Sequence, residues 1–113
     1  MCSKTALNQI TDRVVQAAKE SLGSRLDKVI LYGSYARGDS AEESDIDIMI
    51  LADIPLENRG IERSKIRSKL NYIDLDYDVV LSLNVTDVET FNKFLPIEPF
   101  YKRVITDGVI LSA

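Results

Sequence analysis

Val29-Ile30-Leu31-Tyr32-Gly33-Ser34, then ten residues, then Asp45-Ile46-Asp47-Ile48-Met49-Ile50-Leu51, is the stretch that decides how this chain is read. Two apolar runs flank a connection, Gly33 to Ser44, that is rich in glycine, serine and acids. This is the pattern of two strands joined by a loop, with room for a short helix starting at Ser34. Leu26 to Tyr32 reads as the first strand and Asp45 to Leu51 as the second. Side chains two apart on a strand point the same way, so Asp45 and Asp47 stand side by side, roughly 6.5–7 Å apart at Cα. Gly33 lets a ligand approach the backbone closely, and Ser34 with the N–H groups at a helix start can bind phosphate oxygens. Arg37 either contacts such an anion or covers the short helix.

Outward from this stretch, Leu7, Ile10, Val14, Ala18 and Leu22 recur at three- and four-residue steps, which predicts a helix from Lys4 to Leu22 with Ser3 as N-cap and Gly23 as terminator. Beyond Pro55, Asn58 to Asn71 reads as a helix with Ile61, Ile66, Leu70 and Ile73 turned inward. Leu75 to Leu83 then reads as a third, acidic strand, with Asp76 and Asp78 on one face and Asp74 in the turn before it. Thr86-Asp87-Val88-Glu89 fits a capping box that opens a helix to Leu95, where Pro96 stops it. Pro99 starts a last helix to Thr106, and Gly108 leads into a terminal strand, Val109 to Leu111. The fold class is therefore α/β (α+β): a single domain over residues 1–113, with one small mixed sheet and helices packed on one face. The other face is left free to carry carboxylates.

Composition narrows the chemistry. A net charge of −4 argues against a broad nucleic-acid footprint. Arg59, Arg63, Lys65, Arg67 and Lys69 read as a solvated helix face. No run of about 20 apolar residues marks a membrane span. The single cysteine, Cys2, fits a reducing compartment and has no expected catalytic role. Together these features point to a cytoplasmic protein. There is no histidine, which excludes histidine bases, histidine zinc ligands and Ser-His-Asp triads. Any metal must sit on hard oxygen ligands, and these suit magnesium or manganese.

Asp45 and Asp47 can converge on metals held about 3.5–4 Å apart, the spacing of two-metal phosphoryl sites. A third carboxylate, Asp78 or its rival Asp76, joins them if the third strand pairs beside the second. Two unit charges 4 Å apart repel by about 4 kcal/mol at an effective dielectric near 20, and no Lys or Arg interrupts either acidic run. Such a cluster is unfavourable empty and favourable around divalent cations. Asp39, Glu42 and Glu43 read as a solvated loop, and Tyr32 and Tyr35 as packing or rim residues.

Gly33-Ser34-Tyr35-Ala36-Arg37-Gly38-Asp39-Ser40, continued by Ser44-Asp45-Ile46-Asp47-Ile48, resembles the signature of the minimal nucleotidyltransferase family of the DNA polymerase beta superfamily: Gly-Ser, about ten residues, then Asp-x-Asp. The resemblance extends over almost the whole chain, including the end, Phe100 to Leu111. It implies a polymerase-beta-like nucleotidyltransferase fold. By the resemblance, Ser34 binds the triphosphate of ATP and Asp45 and Asp47 hold two magnesium ions; Gly33 and Arg37 are candidate nucleotide-binding residues beside Ser34. Asp78 matches the third carboxylate, which helps bind metal and activate the attacking hydroxyl. A basic residue is frequent in the family where this chain has Tyr35.

Small members of the family resemble antitoxins paired with a HEPN-domain ribonuclease toxin, to which they transfer AMP on a tyrosine. The resemblance thus implies an AMP transferase whose partner is a HEPN toxin, in a hetero-oligomer. Two other readings stand beside it. One is a small-molecule, aminoglycoside-type nucleotidyltransferase, which usually carries a further helical domain for its acceptor. The other is a non-enzymatic antitoxin that neutralises its partner by binding, which gains nothing from clustered acids.

Overall fold

The computed structural model describes residues 2–41 and 44–113; the expectation for Glu42 and Glu43 lies outside them. Strand β1 spans Leu26–Tyr32 and β2 spans Ile46–Ala52. β2 is buried along its length except at Asp47, as an interior strand of continuous apolar sequence must be. It pairs antiparallel with β1 and in parallel with β3, Leu81–Asp87, while β4, Val109–Ser112, lies antiparallel on the far side of β1. The order is β3-β2-β1-β4, a mixed sheet.

Helix α1, Lys4–Leu22, forms as its periodicity predicts. The Ser3 hydroxyl accepts from the Ala6 N–H at 3.1 Å, and Ile10, Val14, Ala17, Ala18 and Leu22 are buried. They join Val29 and Leu31 of β1, Ile46, Ile48 and Ile50 of β2, and Leu81, Leu83 and Val85 of β3 in the main core. Helix α2, Ser34–Arg37, is the short helix expected after Gly33. Among the described residues no helix is long and apolar enough to cross a membrane.

The expectation that helices cover one face of the sheet is corrected. A second cluster on the opposite face joins Ile30, Met49 and Leu51 to Phe91 of α5, Val88–Phe94, and Val104 of α6, Pro99–Asp107. Alternate residues of a strand face opposite sides, and β1 and β2 are apolar on both. Asp47 lies on this second face, beside the cluster rather than in it. Gly108, between α6 and β4, locks this layer: a Cβ there would overlap the Val104 carbonyl oxygen and approach Ile30 Cγ2 at 2.7 Å.

The acidic third strand is also corrected. The helix begun near Asn58 is two: α3, Arg59–Ser68, and α4, Tyr72–Asp76. Asp74 and Asp76 are therefore helical, and β3 begins only at Leu81. Ile66, Leu70 and Ile73 are buried as expected, but Ile61 is 58% exposed and Leu75 88%. The three-to-four-residue spacing of the buried residues outweighs the alternation that suggested a strand. Helix α4 closes in a Schellman turn: Val79 N–H donates to the Asp74 carbonyl at 3.1 Å, and Asp78 takes the left-handed conformation, φ 52°.

Two smaller expectations resolve through side-chain bonds. The cap of α5 is Asp87 rather than Thr86, accepting from the Thr90 N–H at 3.0 Å. The basic residues of α3 and the turn after it are engaged within the fold. Arg59 pairs with Asp87, Lys65 with Glu62, Arg67 with Asp74 and Lys69 with Glu20, and Arg63 donates to the Leu83 carbonyl.

Candidate active site

The parity of β2 sends Ile46, Ile48 and Ile50 into the main core and therefore turns Asp47 to the opposite face, with Asp45 two residues earlier on the same side. Tyr32 of β1 and Ser82 of β3 are its register partners. Asp47 is half-buried and Asp45 exposed. Burial, and then the neighbouring Asp45, push the Asp47 carboxyl above the usual aspartate range, while Arg37 pulls it back. These two acids are thus close enough to repel, as the spacing predicts. Burial, and then the Asp47 charge, likewise push the Tyr32 hydroxyl up, against a hydrogen bond with Asn84.

Gly33 has φ 76°, and a Cβ built there would stand 2.5 Å from Asp47 Oδ2. A side chain at this position would occupy the space beside the carboxylate, so glycine is required both by conformation and by room. The Gly33 carbonyl accepts from the N–H groups of Ala36 and Arg37, each at 3.1 Å, which sets α2 directly after it. Ser34 opens α2, half-buried, and Arg37 closes it, its Nε donating to Asp39 Oδ2 at 3.2 Å. Asp39 is exposed, as a solvated loop residue should be. The Tyr35 hydroxyl accepts from the Cys2 N–H at 3.2 Å, a packing role, and burial pushes the Cys2 thiol up, which keeps it protonated.

Gly33, Ser34, Arg37, Asp45 and Asp47 therefore lie together, at the ends of β1 and α2 and the start of β2. Asp78 does not join them. Among the described residues no three acids or cysteines converge closely enough to hold one ion. Asp78 occupies the Schellman turn, exposed, and Asp76 is exposed on α4. Asp74 binds the fold instead, accepting from Arg67 at 2.7 Å and from the Leu81 N–H at 3.2 Å. The remaining pair still fits magnesium, which is commonly bound through one or two carboxylates with substrate phosphates completing its shell. Its all-oxygen donors and raised proton affinity are what a divalent cation would relieve.

A cavity of about 210 Å³ opens beside the pair, lined by Tyr32, Gly33 and Arg37 on one side and Phe100, Arg103, Val104 and Asp107 of α6 on the other. The Tyr32 and Phe100 rings meet edge to face, 5.5 Å between centroids. Sequence reasoning missed the α6 residues. Their helix was legible, but its packing against the second face rests on contacts distant in sequence. Ser82 and Asn84 lie on the Asp47 face by their register with β2; the expected strand, Leu75 to Leu83, contained Ser82 but ended before Asn84.

Comparison with known proteins places the chain in a family. The family model described as Nucleotidyltransferase domain matches residues 11–112. A Methanocaldococcus jannaschii protein named "Putative protein adenylyltransferase MJ0604" is 37% identical over 97 residues, 86% of this chain and 89% of its own. A solved structure of the toxin–antitoxin MntA-HpeT, in a D39ED41E mutant, superposes with a TM-score of 0.58 at 22% identity, covering 91% of this chain and 73% of that one, a likeness of fold. Another, of a toxin–antitoxin with AMP-PNP, gives 0.57 at 27% identity with the same coverage. Since the family match takes in every element from within α1 to β4, the acid pair and its glycine included, the chain belongs to the nucleotidyltransferase domain family.

Proposed function

We propose that this chain transfers AMP from ATP to a hydroxyl of a partner protein, a tyrosine of a HEPN ribonuclease toxin, and so acts as that toxin's antitoxin. The observation that carries the reading is the Asp45 and Asp47 pair, crowded together under Gly33, which admits no side chain and itself lines a cavity with two arginines. Support comes from the M. jannaschii relative, whose name specifies protein adenylylation, and from the toxin–antitoxin structure with AMP-PNP.

In the proposed reaction the acceptor oxygen forms a bond to the α-phosphorus. The bond from that phosphorus to the bridging oxygen breaks, pyrophosphate leaves with the electron pair, and the hydroxyl proton passes to solvent. Asp45 and Asp47 would hold magnesium, or manganese in its place, which supplies neutralisation of phosphate charge. Ser34 and Arg37, on α2, bind phosphate oxygens, and Gly33 keeps the approach to Asp47 open. Asp78 stands outside their cluster, in the turn before β3, so the reading rests on Asp45 and Asp47. We place the reaction in the cytoplasm, where ATP is at hand.

Incubation with the HEPN protein, ATP and magnesium should add the mass of AMP to a tyrosine of that protein, and a chelator should prevent it. A partner that stays unmodified although the chain binds ATP would refute protein transfer.

A further inference from the structure

Helix α6 carries two exposed cations, Lys102 and Arg103, neither in an ion pair among the described residues. Of the two, only Arg103 lines the cavity beside the acid pair. Its neighbours on the helix are fixed. Val104 is buried in the second cluster, Phe100 meets Tyr32 edge to face, and Gly108 admits no side chain against β1. The helix therefore presents Arg103 from a rigid seat, and guanidinium is the side chain best matched to phosphate oxygens.

The charge balance calls for such a group. A triphosphate reaching the acid pair brings several negative charges to a cavity that already holds Asp107, one turn beyond Arg103. Arg37, the other cation of the lining, is bonded to Asp39. Resting on the nucleotide reading above, we propose that Arg103 is a substrate-binding residue that holds the β- and γ-phosphates of the nucleoside triphosphate from the α6 side, across the cavity from Arg37.

Calorimetry on the full chain with magnesium tests this, using inorganic pyrophosphate, ATP and AMP as probes. Arg103→Ala should weaken pyrophosphate and ATP binding about tenfold, the worth of one charge-assisted bond, and leave AMP binding unchanged. Arg103→Lys should recover part of the loss. Lys102→Ala, an exposed neighbour outside the cavity lining, should match the parent chain. Arg103→Ala binding that equals Lys102→Ala, or that falls as much for AMP as for pyrophosphate, overturns the assignment while leaving the nucleotide reading standing. A parent chain that binds none of the three probes overturns both.

Discussion

Two stretches of this chain place an aspartate at every second position, Asp45-Ile46-Asp47 and Asp74-Leu75-Asp76-Tyr77-Asp78, and they fold in opposite ways. In the first, the intervening Ile46 and the following Ile48 are fully buried, so period-two alternation is enforced by the core and both acids face one side. In the second, the intervening Leu75 is exposed, while Ile66, Leu70 and Ile73 are buried at helical spacing. Alternating acids are thus a strand signal only when the apolar residues between them are the ones that the core takes up. The energetic consequence differs as well. The first pair is crowded on a half-buried face, where burial first and the Asp45 charge second raise the proton affinity of Asp47. The second set is dispersed: Asp74 into an ion pair, Asp76 into solvent, Asp78 into a turn.

The largest effect should come from neutralising the first stretch. Asp45→Asn with Asp47→Asn removes the charge that draws a divalent cation, and nucleotidyl transfer should fall on the order of a thousandfold with the fold intact by circular dichroism. Asp76→Asn in the second stretch should leave the rate unchanged. Equal losses at the two places would erase the distinction between them.

Next in size is a stability effect confined to the second stretch. Asp74→Ala removes the acceptor for Arg67 and for the Leu81 N–H, and urea denaturation should show a loss of about 2 kcal/mol. Asp76→Ala should stay within about 0.5 kcal/mol of the parent. A negligible cost for Asp74→Ala would mean that the turn into β3 is held by something other than this carboxylate.

A third substitution sharpens the contrast at Asp78. The left-handed position that closes a helix favours glycine, so Asp78→Gly should hold stability or raise it by up to about 1 kcal/mol, with transfer within a few-fold of the parent. A loss of transfer comparable with that of the Asp45 and Asp47 variant would show that the turn rearranges to bring Asp78 into the site, and would join the two stretches in one function.

What the sequence makes legible follows the range of the interactions involved. The spans of α1 and β1 were readable because one apolar stripe and one apolar run determine them, and Gly33, Ser34, Asp45 and Asp47 because a strand, a turn and a strand are contiguous in the chain. The start of β3 was not, because an aspartate stands at the left-handed position where a glycine would have marked the end of α4. The second apolar layer was not, because β1 and β2 are apolar on both faces and nothing local says which helix covers the second. Arg103 was hidden for the same reason: its relation to Gly33 exists only once α6 is seated on β1.

The smallest expected effect separates two buried-side carboxylates by the sign of their pH dependence. Asp47 titrates above the ordinary aspartate value of 3.8, by burial first and Asp45 second. A raised group favours the protonated fold, so its contribution is fully present below the unfolded value and is lost as pH rises through the folded one. In chelator-treated protein, Asp47→Asn should therefore melt higher than the parent at neutral pH, with the difference shrinking toward pH values below 3.8. Asp87 is the reverse case. Burial would raise it, but the hydrogen bond from Thr90 and the Arg59 pair outweigh that and hold it low. Its contribution is present above the unfolded value and lost as pH falls through the folded one, so Asp87→Asn should melt lower than the parent at neutral pH and converge with it in acid. Melting curves of both variants from neutral pH downward should approach the parent from opposite sides. An Asp47→Asn variant that melts lower than the parent at neutral pH would mean that neither burial nor Asp45 raises this carboxyl in the folded chain, and the case for a cation beside it would go with it.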